Sequence, residues 1–405
     1  MKISFIGLGK LGLPLATCLA EVGNDIIAVD KNEYILDQLK NDKLPFYEPG
    51  LEELFTKVKY KFQKFTSSYE TAIKETEASI ILVNTQLGDD GYAADFVEAA
   101  ILDIAVNLKK INKKYHNIIL SSTVLPGTIK KLISTIEKIS GKKFEQDFGF
   151  AYVPDFVKLG SVIHDFKNPD FFLVGCNNPI DMECVHKIWN GLHNNNCDYY
   201  SLTLEETEIA KVALNAYIVT KITFANFLGE LCKDINNVNV HNITNVIGAD
   251  QRIGRKFFSS GAPYGGTCFP RDATAFIKFA KNRNYIAKNL IFAQEVNEMI
   301  LNSIFDQCNI YENIGVLGLS FKPNSPVVVG SPSISLIKKL NRPVNVFDYI
   351  KESYKGLDNI KICTTPQEVV DQSECVIIMH PDKRFSDLKF RDATKVIDLW
   401  KIIKS

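Results

Sequence analysis

The chain has 405 residues, of which 46% are hydrophobic and 11% aromatic, so it is long enough to bury more than one hydrophobic core. Its 47 basic side chains balance 47 acidic ones, which leaves no overall field to attract nucleic acid or an anionic membrane. The composition excludes a disordered or fibrous protein, and we expect neither a nucleic-acid partner nor a membrane partner.

The N-terminus enters a predicted strand at once and lacks the apolar core and cleavage site of a signal peptide. No apolar run approaches the length of a membrane span. The nine cysteines are scattered without paired metal spacing, which is typical of reduced thiols. We therefore expect a cytoplasmic, soluble protein without a metal site.

In the first half of the chain, short apolar and β-branched runs alternate with segments of helical length. This alternation predicts a parallel sheet with crossover helices. The predicted strands are Lys2 to Ile6, Asp25 to Val29, Ser79 to Val83, Asn117 to Ser121, Phe148 to Val153 and Phe171 to Val174.

A long helix is predicted from Leu204 to about Lys233, because apolar residues recur there at helical spacing without an early glycine or a proline. Shorter helices are expected at Asn237 to Ile247 and Ala287 to Asn302, with a loop from Gly261 to Pro270 between them. This region is predicted to connect two α/β domains.

A second alternating unit follows, with predicted strands at Ile314 to Leu319, Pro343 to Phe347, Cys375 to Met379 and Lys395 to Leu399 and a helix at Ser333 to Leu340. The predicted fold class is therefore α/β, with two Rossmann-like parallel-sheet domains joined by a long central helix and a helical region. The expected domains are residues 1–200, 201–305 and 306–405.

A glycine-rich turn, Gly7-Leu8-Gly9-Lys10-Leu11-Gly12, follows the first predicted strand and opens a helix. Glycines at these positions let a pyrophosphate approach the free N–H groups at the helix N-terminus. Asp30 ends the second strand, at the offset of the acid that binds a ribose 2′-hydroxyl, and it would repel a 2′-phosphate. The pattern predicts NAD rather than NADP; the alternative is a capping turn with a solvent-facing aspartate.

Two further groups of residues could carry chemistry. Cys268 lies in the Gly-rich segment Gly261 to Asp272 with Arg271 nearby, and a neighbouring cation favours the reactive thiolate. Lys211 and Asn215 stand four residues apart on the predicted long helix and could both donate to an oxyanion. Taken alone, the cysteine loop could equally be a packing turn, and a solvated polar stripe is the simpler explanation of Lys211 and Asn215.

Over nearly its whole length the chain resembles the UDP-glucose/GDP-mannose dehydrogenase family. The matching segments, in chain order, are Gly7 to Gly12, Asp90-Gly91 with Asp95, Ser122 to Val124 with Pro126 to Thr128, Pro154 to Phe156, Gly160, Asp165, Asn168 to Asp170, Glu208 with Lys211 and Asn215, Asp250 with Arg252 to Gly254, Gly265 to Asp272, and Gly318 with Phe321 to Asn324. The resemblance implies an enzyme that uses NAD to oxidise the C6 alcohol of a nucleotide sugar to a carboxylate by two hydride transfers.

The resemblance also implies the catalytic roles. Cys268 is expected to form a thiohemiacetal and then a thioester, with Lys211 and Asn215 stabilising the oxyanion. Asp272 is expected to order the hydrolytic site. Thr123 matches a threonine beside the cofactor and the catalytic water. Asp155 stands where the family usually has a longer glutamate, which acts as a proton acceptor or positions water.

Binding residues follow from the same resemblance. For NAD it implies Gly7 to Gly12, Asp30, Thr85, Thr123 and Arg271, the last in place of the usual lysine. For the nucleotide sugar it implies Asp155, Phe156, Val157, Lys158, Lys211, Asn215, Arg252, Gly265 and Lys322. Arg252 matches an arginine that reaches a neighbouring subunit's substrate, so we expect a homodimer with the long helix at its interface and a helical dimerisation region around it.

Several positions depart from the family pattern. Val329 replaces an arginine that contacts NAD, Leu159 replaces a glutamate near the nicotinamide, Gln86 replaces a proline after Thr85, and Trp400 stands where a substrate-contacting arginine often lies. The run from Val327 to Val329 is expected to be buried packing, with the pocket around it reorganised.

Three functional hypotheses remain open. The first is a nucleotide-sugar 6-dehydrogenase, with UDP-glucose as first choice and another UDP-hexose, a UDP-N-acetylhexosamine or GDP-mannose as alternatives. The second is a two-electron hydroxyacid dehydrogenase, which leaves Cys268 and the second α/β domain unexplained. The third is a sugar-nucleotide binder without catalysis, suggested by Val329 and Leu159.

Overall fold

The computed structural model describes residues 1–88 and 91–403. The chain divides into two compact units, Met1–Val212 and Ala213–Ser405. The predicted α/β fold class is confirmed, since each unit is built on its own largely parallel sheet with helices between the strands. The three-domain division stays a prediction.

The first unit contains an eight-stranded sheet among its described residues, in the order β10-β9-β8-β7-β4-β1-β2-β3. Its strands run parallel except that β9 joins β8 antiparallel, which reverses the edge pair β9 and β10. A separate hairpin is formed by β5 and β6. The strands are β1 (Lys2–Ile6), β2 (Asp25–Val29), β3 (Phe62–Thr66), β4 (Ala78–Ile81), β5 (Gln86–Gly88), β6 (Gly91–Ala93), β7 (His116–Leu120), β8 (Phe148–Tyr152), β9 (Phe171–Cys176) and β10 (Asp198–Leu202).

Helices cover both faces of this sheet, so each strand in its middle is buried on two sides. In β1, Phe5 packs into the hydrophobic core on one face and its neighbour Ile6 into the core on the other. The helices are α1 (Gly12–Glu21), α2 (Glu33–Lys40), α3 (Leu51–Val58), α4 (Tyr69–Glu75), α5 (Asp95–Lys110), α6 (Thr128–Ser140), α7 (Val162–Lys167), α8 (Pro179–Trp189) and the start of α9 (Leu204–Cys232).

The predicted long helix is confirmed as α9, which continues into the second unit. By length and composition α9 could cross a membrane, as could the core helices of many soluble proteins. The expectation of no membrane partner therefore stays a prediction.

The second unit contains a five-stranded sheet among its described residues, in the order β13-β12-β11-β14-β15, with all neighbours parallel. Its strands are β11 (Ile314–Leu317), β12 (Val344–Phe347), β13 (Ile360–Ile362), β14 (Cys375–Ile378) and β15 (Lys395–Asp398). Its other helices are α10 (Val240–Ala249), α11 (Phe269–Lys281), α12 (Lys288–Cys308), α13 (Pro332–Leu340) and α14 (Pro366–Asp371). The predicted loop from Gly261 to Pro270 is wrong at its end, because α11 already begins at Phe269.

Each sheet has a similar turn after the strand that comes first in the chain, β1 in the first unit and β11 in the second. In the first unit the N–H of Leu8 donates to Asp30 Oδ2 at 2.7 Å, and in the second unit the N–H of Leu319 donates to Asp348 Oδ2 at 2.8 Å. Asp348 Oδ2 also accepts from the N–H and the hydroxyl of Ser320, at 3.2 and 3.4 Å. Asp348 is buried among these donors, whereas Asp30 is half-buried, so the two carboxylates have different amounts of room for a ligand.

Candidate active site

The glycine-rich turn after β1 has the shape that a pyrophosphate requires. A side chain at Gly7 would place its Cβ 2.3 Å from the carbonyl oxygen of Leu82, and one at Gly12 would lie 1.9 Å from that of Gly7. Gly7 also has φ +98°, which favours glycine. A Cβ at Gly9 would meet nothing within 4 Å. The first and third glycines are therefore needed for packing, and the middle one leaves open space in front of α1.

The N-terminus of α1 and Asp30 complete this site. Among the described residues, no side chain caps α1 and no acid lies in its first turn, so the helix dipole at this end favours an anion. Asp30 Oδ2 accepts from Leu8 and Oδ1 from the N–H of Asn32 at 2.8 Å, which fixes the carboxylate at the end of β2. Its remaining lone pairs suit ribose hydroxyls. The residues present therefore fit a dinucleotide, with Lys10 exposed beside the turn and Leu11 at the start of the helix.

The segment after β8 brings together Asp155, Phe156 and Lys211. The ammonium of Lys211 donates to the carbonyl oxygen of Asp155 and lies 4.1 Å from the centre of the Phe156 ring. Asp155 Oδ2 is buried and has no protein hydrogen-bond partner among the described residues. Burial raises the pKa of Asp155 to about 7, against the opposing effect of the Lys211 charge. A carboxyl group in this state can accept or return a proton near neutral pH.

Glu208 holds the neighbouring loop, which carries Thr123. Its buried carboxylate accepts from the N–H groups of Gly127 at 2.7 Å and Ile129 at 2.8 Å, at the beginning of α6. Burial raises the pKa of Glu208, and these backbone donors act in the opposite direction. Because Glu208 and Lys211 are three residues apart on α9, the helix positions both the lysine and the loop. The motif placed Glu208 in the family pattern, but nothing in the sequence indicated its contact with Gly127.

In the second unit, Cys268 is exposed and lies at the N-cap of α11, a helix of 13 residues. The helix dipole and the free N–H groups of the first turn favour negative charge at this end. One turn into the helix, the fully buried Asp272 accepts from Asn215 Nδ2 at 2.5 Å and from Arg271 Nε at 3.1 Å. The predicted residues Asn215, Asp272 and Arg271 are thus joined by hydrogen bonds next to the cysteine.

The remaining predicted substrate residues are more dispersed. Arg252 is exposed and forms a bidentate pair with Asp250, with Nη2 2.6 Å from Oδ2. Gly265 admits no side chain, because a Cβ would lie 2.3 Å from the carbonyl oxygen of Gly330. Lys322 lies on the loop after β11, where its carbonyl oxygen accepts from Ser320 Oγ at 2.8 Å.

The loop containing Val329 differs from the prediction. Val329 is 65% exposed, so the expected buried packing of the run from Val327 to Val329 is wrong at its last residue. In that run only Val328 contacts a hydrophobic core of the second unit, as a partly buried neighbour. The backbone explains this position, because the carbonyl oxygen of Gly330 accepts from Gly266 at 3.1 Å and holds the loop at the surface.

Trp400 and Leu159, two of the other departures, have packing roles. The ring of Trp400 lies directly over Gly261, where a Cβ would come within 2.3 Å of it, and Nε1 donates to the carbonyl oxygen of Met379 at 3.0 Å. Leu159 and Val157 pack against the core of the first unit, while Lys158 is exposed. Thr85 is buried, and β5 begins at the following residue, Gln86. Asp90, which belongs to one of the matching segments, lies outside the described residues.

Within residues 1–88 and 91–403, no three His, Cys, Asp or Glu side chains form a group that could hold a metal ion. The α/β fold, the glycine-rich turn with Asp30, and Cys268 with its neighbours Asn215 and Asp272 together define the class of the protein. It is an α/β oxidoreductase with a dinucleotide site and a cysteine at a helix N-terminus.

Comparisons with known proteins agree with this class. The NAD binding domain of the UDP-glucose/GDP-mannose dehydrogenase family matches residues 1–193, its central domain residues 205–299 and its UDP binding domain residues 315–405. UDP-glucose 6-dehydrogenase TuaD of Bacillus subtilis is 33% identical over 84% of this chain and 74% of its own length. GDP-mannose 6-dehydrogenase of Pseudomonas syringae pv. tomato is 28% identical over 98% of this chain and 96% of its own.

Among solved structures, the UDP-glucose dehydrogenase from Pyrobaculum islandicum superimposes with a TM-score of 0.90 at 27% identity, over 99% of this chain and 95% of that one. The chain therefore belongs to the UDP-glucose/GDP-mannose dehydrogenase family, and its cofactor is NAD. Its substrate is a nucleotide sugar.

Proposed function

We propose that this protein oxidises the C6 alcohol of UDP-glucose to the carboxylate of UDP-glucuronate, with Cys268 as the nucleophile. The observation that carries the proposal is the exposed thiol at the start of α11, beside the hydrogen-bonded Asn215 and Asp272. UDP-glucose is favoured because the family's UDP binding domain matches residues 315–405 and relatives such as TuaD carry that name. GDP-mannose and N-acetylated UDP-hexoses remain alternative substrates.

The overall reaction converts one alcohol, two NAD⁺ and one water into one carboxylate, two NADH and three protons. Bound NAD supplies the two-electron acceptor for each step. After the first oxidation the Cys268 sulfur adds to the C6 aldehyde carbon and a thiohemiacetal forms. The second oxidation gives a thioester, and water then displaces the thiolate to release the acid.

Other side chains stabilise charge and move protons in this scheme. Lys211 and Asn215 donate to the oxyanion that develops when sulfur or water adds to the carbonyl carbon. Asp155 accepts a proton in the oxidation steps, and its pKa of about 7 suits that task near neutral pH. Asp272 orders the hydrolytic site through its bonds to Asn215 and Arg271. Thr123 lies beside the cofactor and the attacking water.

The protein is further proposed to act as a cytoplasmic homodimer through α9. Tyr217, Phe224 and Leu231 are exposed on α9 and recur every seven residues, which forms one apolar stripe along the helix. Such a stripe suits packing against a second copy of the same helix. In the dimer Arg252 would leave Asp250 and reach the neighbouring subunit's substrate. Lys221 holds the loop that carries Arg252 by donating to the carbonyl oxygen of Ile253 at 2.9 Å.

One assay tests the proposal against its rivals. The purified protein is incubated with NAD and each of UDP-glucose, UDP-N-acetylmannosamine and GDP-mannose, and NADH is counted per sugar consumed. Two NADH per UDP-glucose supports the proposal, and the same ratio with another sugar reassigns the substrate. One NADH per substrate indicates a two-electron dehydrogenase, and none with any sugar indicates a binder without catalysis.

A further inference from the structure

A buried carboxylate that the mechanism does not use lies next to the proposed substrate segment. Glu48 belongs to the turn Tyr47-Glu48-Pro49-Gly50 before α3, and it is 6% exposed although Tyr47 beside it is 86% exposed. Its Oε2 accepts from the N–H of Gly160 at 3.1 Å and its Oε1 from the N–H of Val162 at 2.9 Å. A carboxylate is costly to bury unless such donors satisfy it, so these contacts explain why Glu48 faces inward.

The two amides that Glu48 binds close the loop that follows β8. This loop leaves the carboxyl end of a parallel strand, which is the edge where α/β sheets bind ligands. At its start, Lys211 holds Asp155 and Phe156. At its end, Gly160 takes φ +88° and bonds to Glu48. The conformation of the residues between these two anchors is therefore set from both sides.

A second carboxylate supports the same loop from within. Asp165 accepts from the N–H of Lys158 at 2.9 Å and from the hydroxyl of Ser161 at 3.0 Å. Asp165 is only a few residues from its partners and can move with them. Glu48 is more than a hundred residues away in the sequence, so it ties the loop to the body of the first unit.

We propose that Glu48 is a positioning residue for nucleotide-sugar binding, which acts by holding the loop from Asp155 to Gly160 in its binding conformation. This inference rests on the proposed function and on the family resemblance, which implies that Phe156 to Lys158 contact the sugar nucleotide. In this role Glu48 acts through its hydrogen bonds to Gly160 and Val162. Its loss should weaken sugar-nucleotide binding and leave NAD binding at α1 and Asp30 unchanged.

The test is steady-state kinetics of Glu48→Gln with UDP-glucose and NAD varied in turn. The amide retains one acceptor oxygen but turns an NH₂ group towards a backbone N–H, so one of the two bonds is lost. We expect KM for the nucleotide sugar to rise about tenfold, because the variant loses a hydrogen bond to a charged group. Both kcat and KM for NAD should stay within about twofold of wild type. Glu53→Gln, on the exposed face of α3, makes the same charge change and should have no effect.

Glu48→Asp provides a second variant that keeps the charge but is shorter by one methylene. It should reach only one of the two amides and give a smaller rise in KM for the sugar. Hydrogen exchange at the amides of Gly160 and Val162 checks the structural link directly and should be faster in both Glu48 variants.

The outcomes separate the two proposals. Faster exchange with an unchanged KM for the sugar would overturn the positioning role, and so would equal changes in kcat, both KM values and thermal stability. A wild-type protein that forms no NADH from any nucleotide sugar would instead refute the proposed function.

Discussion

The ionisation of Asp155 gives the sharpest prediction for activity. Burial raises its pKa from 3.8 to about 7, although Lys211 nearby lowers it. Because each pKa unit corresponds to about 1.4 kcal/mol, burial and the Lys211 charge together favour the neutral carboxyl by about 4 kcal/mol relative to water. Desolvation therefore outweighs the attraction of the ammonium, and the proton leaves only near neutral pH.

The proposed role of Asp155 as a proton acceptor requires the ionised form. With a pKa of about 7, about a tenth of the carboxyl groups are ionised at pH 6 and about nine tenths at pH 8. We expect kcat to rise about tenfold over this interval and to level off above it. The effect has this sign because raising the pH removes the proton that blocks the acceptor.

The assay is the initial rate of NADH formation at saturating NAD and UDP-glucose from pH 5.5 to 8.5. Asp155→Asn is the matched control, since it keeps the size of the side chain and removes its titration. The variant should be slow and should lose the rise between pH 6 and 8. If Asp155→Asn keeps both the wild-type rate and the wild-type profile, Asp155 is not the proton acceptor and the reasoning from its burial is refuted.

Four further predictions follow from individual residues. Cys268→Ser should stop the reaction at or before the first oxidation, because a hydroxyl lacks the nucleophilicity and leaving ability of a thiolate; a full yield of two NADH would contradict the covalent mechanism. Asp30→Ala should weaken NAD binding and narrow the preference for NAD over NADP, measured by titrating each; unchanged discrimination would mean that the ribose is held elsewhere. Val329→Arg should tighten NAD binding, since the exposed position carries no burial penalty and a charge-assisted hydrogen bond contributes about 1.5–3 kcal/mol before side-chain ordering is subtracted. Unchanged or weaker NAD binding by a folded variant would show that an arginine at this position makes no such contact. Burial lowers the pKa of His116 to about 3, so the neutral imidazole is favoured in the folded protein. The free energy of unfolding should therefore be highest above about pH 6.5 and fall by up to about 1.4 kcal/mol per pH unit towards pH 3, as the unfolded chain takes up the proton. Denaturant titrations of wild type and His116→Asn should diverge over this range, and parallel pH dependences would contradict the prediction.

Local patterns in the sequence determined the elements that carry the chemistry. The predicted bounds of β1 and β2 are confirmed at both ends, because each is a short run of mostly apolar residues that is buried in the sheet and can be recognised from its own residues. The glycine-rich turn and Asp30 could be assigned for the same reason, since each interacts with residues of the same βαβ unit. The continuous helix α9 followed from helical spacing and the absence of proline.

The edge strands β3, β10 and β13 were not predicted, whereas the edge strand β15 was predicted as Lys395 to Leu399. In β10 four of five residues are exposed, and in β3 the two consecutive polar residues Gln63 and Lys64 are exposed, so neither strand shows a buried run. Their pairing depends on the open edges of strands already in the sheet, which a local pattern does not reveal.

Contacts between distant segments were decided by the tertiary structure alone. The sequence motif identified Glu208 without its bond to Gly127, and nothing local marked Glu48 as the residue that binds Gly160. The apolar run around Val329 predicts that this residue is buried. It is exposed, because the carbonyl oxygen of Gly330 accepts from the backbone N–H of Gly266 in another loop. Hydrophobicity and spacing report which residues can be buried and how a segment coils, whereas the partner of a buried charge depends on which loops the folded sheets bring together.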